Sequence, residues 1–344
     1  MRHLVPATLL ALIVLLVSTS AALSRPPAAV GESVIAFETR RVGNSEIYSV
    51  DPDAKAAPTR LTKTTALERY VAISPDGRSI AYTSNARGNY DIYVRSIDPT
   101  ANPTLVTRST AADLQPTWSP DGKSIAFQSN RSGVRYYIYT VLANGRSKPV
   151  RLTKGKSSET DPDWSSKNLI AFTQVNERNY DIAYSDLRGT ITSVVKSKER
   201  EQQPDWSPNG LSIAYTRLSG RDRNIWTITA PGTRGNPNFA KATAKKLTTS
   251  KESDNSPTWS PDGKSIAGSA TRSRNADIWV MSATGANPRR ITTNRSVDTA
   301  PSWSTGVITK KVITRPHRPA PCPPSPSASA RADGNTHSDA NADS

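Results

Sequence analysis

Histidine is nearly missing from this sequence. The three in 344 residues are His3, His317 and His337, so the long stretch between the first two has none. Most general acid–base and nucleophilic sites move protons near neutral pH through His. Its absence excludes a Ser-His-Asp constellation from the middle of the chain, and a His-ligated zinc, manganese or copper site. The one Cys, Cys322, lies near the C-terminus, which excludes an intrachain disulfide and any Cys catalysis in that central stretch. Acidic charge is also short, with 29 Asp+Glu against 45 Lys+Arg. Setting aside Arg2 and the charged residues after 306 leaves 39 basic against 26 acidic, near +13. A field of that sign attracts acidic partners. No nucleic-acid-reading motif accompanies it, so nucleic acid is not an expected partner.

What is present is repetition. The stretch from Leu114 to Thr153 holds PTWS, the turn SPDG, an apolar run SIAF, a polar loop, YIYTV and VRLT. Pro120-Asp121-Gly122 is turn chemistry, and the flanking β-branched and aromatic runs read as strands. The unit is a four-stranded antiparallel meander. It returns as YVAISPDGRSIAYTS from Tyr70, DPDWSSKNLIAFTQ from Asp161, QPDWSPNGLSIAYTR from Gln203 and SPTWSPDGKSIAGSA from Ser256. The residue before the turn is Ile73, Trp118, Trp164, Trp206, Trp259 and Trp303, at intervals of 42–53 residues. A period near 40–45 with four strands per unit marks a β-propeller, one blade per repeat.

The ends of the array complement each other. Val34 to Asp51 followed by TRLT supplies three strands that lack a first one, and APSWSTG from Ala300 supplies a first strand that lacks a blade. Pairing the last strand into the first blade gives six blades and leaves no open sheet edge at the seam. The recurrent Trp are expected to pack between neighbouring blades.

The motif WSPDGxxIAF, best seen at Thr117–Phe127 and Thr258–Gly268, resembles the TolB-like propeller repeat, a relative of the WD-type repeat. The resemblance covers about residues 31–306. It implies an all-β, six-bladed propeller that serves as a protein-interaction scaffold or adaptor without catalysis. Nothing here resembles the α/β domain that precedes the propeller in TolB, or the α/β-hydrolase joined to it in prolyl oligopeptidases. A free-standing propeller is therefore expected. Propeller lyases that resemble it at repeat level use His-held metal, which this sequence does not offer.

Residues 1–24 read as a signal peptide: a basic start, an apolar run from Leu4 and small residues near Ala22. Export to the periplasm or exterior is expected, with membrane attachment only if that segment stays uncleaved. The propeller is assigned to 25–306. Residues 307–344, rich in Pro, Ser and Ala, read as a disordered tail.

Two sets of residues stand out as candidate sites. Five residues before each turn aromatic is an acid: Glu68, Asp113, Glu159, Glu201, Asp254 and Asp298. Opening the innermost strands, these are expected to ring the axis. Such a ring could hold calcium or serve a carbohydrate-binding or carbohydrate-processing propeller, the alternative function; no cofactor is predicted. The competing expectation is a structural fixture repeated in every blade. The second set differs between blades: Tyr90, Tyr136 and Tyr180 with Arg87, Arg131 and Arg178, in blades two to four. Tyr and Arg favour protein interfaces, so these are the expected partner-binding residues, unless the Arg pair with the following Asp91, Asp181 and Asp277. The partner expected is another envelope or secreted protein, with an acidic glycan as second candidate. An insertion after Ile228 in blade five presents Lys241, Lys245, Lys246 and an apolar tip, Phe239, and is a candidate docking loop.

Overall fold

A computed structural model describes residues 33–305 except 98–100, 178, 232–235 and 273–274. The expected signal segment and tail lie outside these residues. Six four-stranded antiparallel sheets form the blades of a propeller. In blade one, Asp298–Thr305 is innermost, followed outward by Ser33–Thr39, Glu46–Val50 and Thr59–Arg60. The other blades run in chain order from inside outward. Their innermost strands are Glu68–Ile73, Asp113–Trp118, Ser158–Trp164, Arg200–Trp206 and Asp254–Trp259. The C-terminal strand closes the ring as expected, pairing Ile35 with Trp303 and Thr39 with Asp298.

The repeat motif explains the blade. In SPDG, the Ser119 hydroxyl donates to Asp121 at 2.6 Å and accepts the Ser124 N–H at 2.9 Å. Gly122 takes φ 69°, a left-handed conformation that Gly adopts without penalty. Blade four has no Gly there and uses Asn168 at φ 58°, Asn being tolerated in the left-handed region. The IAF/IAY strands are buried on both sides because each blade is covered by two neighbours; Ile125, Ala126 and Phe127 are all 0% exposed. The apolar clusters accordingly span blade pairs. Trp206 of blade five packs with Tyr184 of blade four, and Trp118 of blade three with Ile92 of blade two. The RLT motif has a comparable logic. Its Leu or Ile is buried, and its Thr hydroxyl accepts a third-strand N–H that the short outer strand leaves unmatched. Ile47, Ile138 and Ile278 donate in this way to Thr62, Thr153 and Thr292 at 2.9–3.0 Å.

The blade-five insertion departs from expectation. Phe239 is not an exposed tip: it is buried against Tyr184 and Trp206, and the Tyr184 hydroxyl donates to the Pro237 carbonyl at 3.2 Å. An apolar ring beside an open seam gains more by burial than by waiting in water. Phe239 thereby ties blades four and five together.

Replacing Thr292 with Val would keep the shape but leave the Ile278 N–H buried without an acceptor. Such an orphaned group costs about 1–3 kcal/mol. Urea unfolding should show T292V less stable by that amount and T292S close to the parent.

Candidate functional site

The innermost strands enclose a channel of about 430 Å³ on the propeller axis. Each strand carries a bulge at the third residue before the turn aromatic. There Tyr70, Gln115, Asp161, Gln203, Ser256 and Ala300 all adopt φ between 49° and 57°. A left-handed non-Gly residue costs roughly 1–2 kcal/mol, and the neighbouring blade offsets it with a hydrogen bond. The N–H groups of Gln115, Asp161, Gln203 and Ser256 donate to Thr83, Gln128, Thr173 and Thr216, at 2.8–3.2 Å. Backbone shape is thus the same in all blades while the side chain is free to vary. Four large polar or aromatic groups face the channel from blades two to five; the other two blades offer Ser256 and Ala300.

Deeper in, the residue just before the turn aromatic accepts the next blade's backbone N–H. Asp163 accepts from Trp206 at 2.6 Å, Asp205 from Trp259 at 2.8 Å, and Ser302 from Ile73 at 3.1 Å. Burial pushes the Asp163 and Asp205 carboxyls above the usual carboxylate range, and the charge of Asp163 raises Asp205 further. Among the described residues no Lys or Arg lines the channel, whereas Asp161, Asp163 and Asp205 do. In a strongly basic chain, the channel is the acidic compartment.

Beside the channel, between blades three and four, lies a pocket of about 380 Å³. Tyr136 and Tyr180 line it with Gln128 and Gln202, and it shares Gln115 and Asp161 with the channel. The Gln115 side-chain amide donates to Asp161, whose other oxygen accepts from Thr173 at 2.8 Å. Both tyrosines are half-buried, and the Arg200 guanidinium lies 5.2 Å from the Tyr180 ring centre. Two of the three tyrosines singled out by sequence therefore meet in one pocket. Tyr90 does not line it; its carbonyl accepts the Asp113 N–H at 2.9 Å across the blade seam. Gln115, Asp161 and Tyr70 were not singled out, although their fixed offset from the turn aromatic and their variation between blades would have marked them.

The six repeated acids are corrected. Glu68, Asp113, Glu159, Glu201, Asp254 and Asp298 are all buried and none lines the channel. They point into the blades, where four of them hold an arginine: Asp298–Arg41 at 2.8 Å, Asp113–Arg131 at 2.7 Å, Glu201–Arg217 at 2.9 Å and Asp254–Arg272 at 2.9 Å. Each guanidinium also lies over an aromatic ring, as Arg131 does over Phe127 and Tyr139 at 5.4 and 5.0 Å. The carboxyls do not converge on a shared cation; among the described residues no three metal-ligating groups do. Arg131 is correspondingly not free to reach a partner, and its counterion is the inner-strand acid rather than a following Asp. The Arg–Asp pinning anticipated for the hairpins occurs instead from the outer strand, where Arg290 pairs with Asp277 at 2.8 Å. Arg87 is exposed. Arg178 lies outside the described residues.

Among the described residues, no arginine pairs with the acids of blades two and four. Glu159 accepts from Thr153 at 3.0 Å, but its Oε1 has no partner. Burial pushes its carboxyl up from the usual 4.5 to about 7, against the smaller opposing effects of Thr153 and Arg151. The folded state therefore holds this proton where the unfolded chain has lost it. The stabilisation is present below pH 4.5 and is lost as pH rises to about 7. Replacing Glu159 with Gln should flatten the fall in unfolding free energy across that window, measured by urea titration at several pH values; an unchanged slope would refute the assignment.

Comparison with known proteins agrees with this geometry. The family model for the TolB beta propeller domain matches residues 71–241. The Tol-Pal system protein TolB of Alcanivorax borkumensis is 30% identical over 106 residues, 30% of this chain and 23% of that protein. The chain thus matches less than a quarter of that relative's length. The crystal structure of TolB from Acinetobacter baumannii superposes with a TM-score of 0.65 at 20% identity, covering 80% of this chain and 67% of that one. An oligogalacturonate lyase from Vibrio parahaemolyticus shares the fold more distantly, with a TM-score of 0.52 at 11% identity over 76% of this chain and 74% of its own. The repeat, the closed six-bladed ring and the matching family model together show that this chain is a TolB-like β-propeller.

Proposed function

We propose that the protein is an exported, non-catalytic interaction propeller of the cell envelope, and that it captures a segment of a partner protein at the tyrosine-lined mouth of its channel. One observation carries this reading. Tyr136 and Tyr180, from adjacent blades, border a pocket that shares the Gln115 and Asp161 wall with the axial channel. Tyrosine brings large contact area with a polar end, the chemistry of interface hot spots. Side-chain amides beside it can pair with an extended backbone. The rim is also rigid, because the Gln115, Asp161 and Gln203 bulges are each held by a bond to the preceding blade, so little ordering is needed on binding. The basic exterior would speed the approach of an acidic envelope protein. The alternative use of the repeated acids for carbohydrate does not fit their burial.

Export rests on the first 24 residues, and the similarity to a Tol-Pal system protein supports an envelope location. N-terminal sequencing of the protein recovered from the periplasm or medium should give a chain starting after Ala22 or Ser24.

The site itself is tested by affinity capture from an envelope extract, using the full chain at about 0.5 M salt, where exposed charge attraction is screened. The parent should retain one protein at stoichiometric level. Tyr136→Ala with Tyr180→Ala should weaken retention about thirty-fold or more, as for loss of a hot spot, without lowering the melting temperature. Equal retention by parent and double variant would refute the mouth as the site.

A further inference from the structure

Propeller blades end in an exposed outer strand whose free N–H and C=O groups could pair with another chain. Here that edge is kept short in five blades. Their outer strands are Thr59–Arg60, Thr104–Leu105, Val150–Arg151, Ala244–Lys246 and Arg289–Arg290, two or three residues each. Blade four differs, with a five-residue outer strand, Ile191–Val195. It is firmly seated: Ile191 packs on the cluster shared by blades three and four, and Val194 and Val195 pack on the one shared by blades four and five. Thr192 and Ser193, between them, are exposed. They pair with Tyr184 and Ala183 on the inner side, and Ile191 with Ser185, before the register shifts at Val194; the outward side of Ile191–Ser193 is thus an ordered, unpaired template.

Charge limits what can add to it. Arg188 precedes the strand and Lys196 and Lys198 follow it, all exposed, and none is in an ion pair with a described residue. Asp186, beside Arg188, is committed to backbone N–H groups of Arg188 and Thr190 at 2.9 and 2.8 Å. Asp181, which feels Lys196, is buried. A second copy adding antiparallel about Ser193 would set Arg188 of each chain opposite Lys198 of the other. Like charges so placed repel. A segment with acids at both ends would instead meet a cation at each end.

We infer that the outer strand of blade four is a second docking edge, which takes an extended, acid-flanked segment of a partner protein by β-strand addition. The edge lies on the rim, away from the residues lining the channel mouth, so it would act independently of that site.

The test uses the full chain and a synthetic peptide of alternating Val and Thr with Glu at both ends; the control carries Lys at the ends. Fluorescence anisotropy should show the Glu-flanked peptide binding, and hydrogen–deuterium exchange should slow over 191–195. Reversing the three cations (R188E, K196E and K198E together) should weaken binding of the Glu-flanked peptide about ten-fold or more and favour the Lys-flanked one. Neighbouring residues alternate inward and outward N–H groups. One of Thr192→Pro and Ser193→Pro should therefore abolish binding while leaving the melting temperature near the parent's. Equal binding of both peptides, no binding, or no slowing at 191–195 would overturn the proposal. So would a concentration-dependent dimer lost on charge reversal, since the occupant would then be a second copy.

Discussion

The structure depends on how one inner strand is tied to the next. A propeller has no single deep core; its blades stack face to face in a ring, and every seam must be satisfied near the axis, where backbones converge. Here a side chain one residue before the turn aromatic accepts the N–H of the next blade's strand, and a second-strand side chain in one blade accepts the N–H of the next blade's bulged residue. These bonds fix a strained left-handed backbone at equivalent positions around the axis. The strain is affordable because in four of the six blades the bulged N–H finds an acceptor, and its result is a set of varying, channel-facing side chains on an invariant frame.

The division between frame and variable positions separates structure from function in this molecule. Buried acids with their arginines recur in four blades and lie in the seams, out of reach of any ligand. The positions that change from blade to blade, such as Tyr136, Tyr180 and Asp161, face the channel and its mouth. Where the pattern is broken, electrostatics adjusts: in blade four no described arginine pairs with Glu159, and burial lifts its carboxyl until the group is protonated over much of the acid range.

Most of the fold was legible in the sequence because turn chemistry and strand composition repeat in step. SPDG fixes the first hairpin and RLT the outer edge, and the incomplete ends of the array required closure by the last strand. Pairing across the hairpins was harder to see. Asp113 and Arg131 are separated by 18 residues, as are Asp254 and Arg272, a constant offset that a reading focused on neighbours missed. Consequently Arg131 looked like an interface residue and the acids looked axial. The site was half legible. Tyr136 and Tyr180 were visible as departures from the repeat, but Gln115 and Asp161 read as ordinary polar residues until the bulge turned them toward the axis. Phe239 was misread for a related reason: an inserted segment has no repeat to compare with, and the groove that buries it exists only between assembled blades.

The central claim is that partner capture belongs to the channel mouth and not to the propeller surface at large. Site-specific photocrosslinking in the cell envelope tests it most directly. A benzophenone side chain would replace Tyr136 in one variant and, in a second, Leu142, exposed at the far end of the strand that Tyr136 precedes. The account predicts one discrete protein adduct from position 136 and none from 142. Adducts of equal yield at both positions, or adducts only at 142, would contradict it.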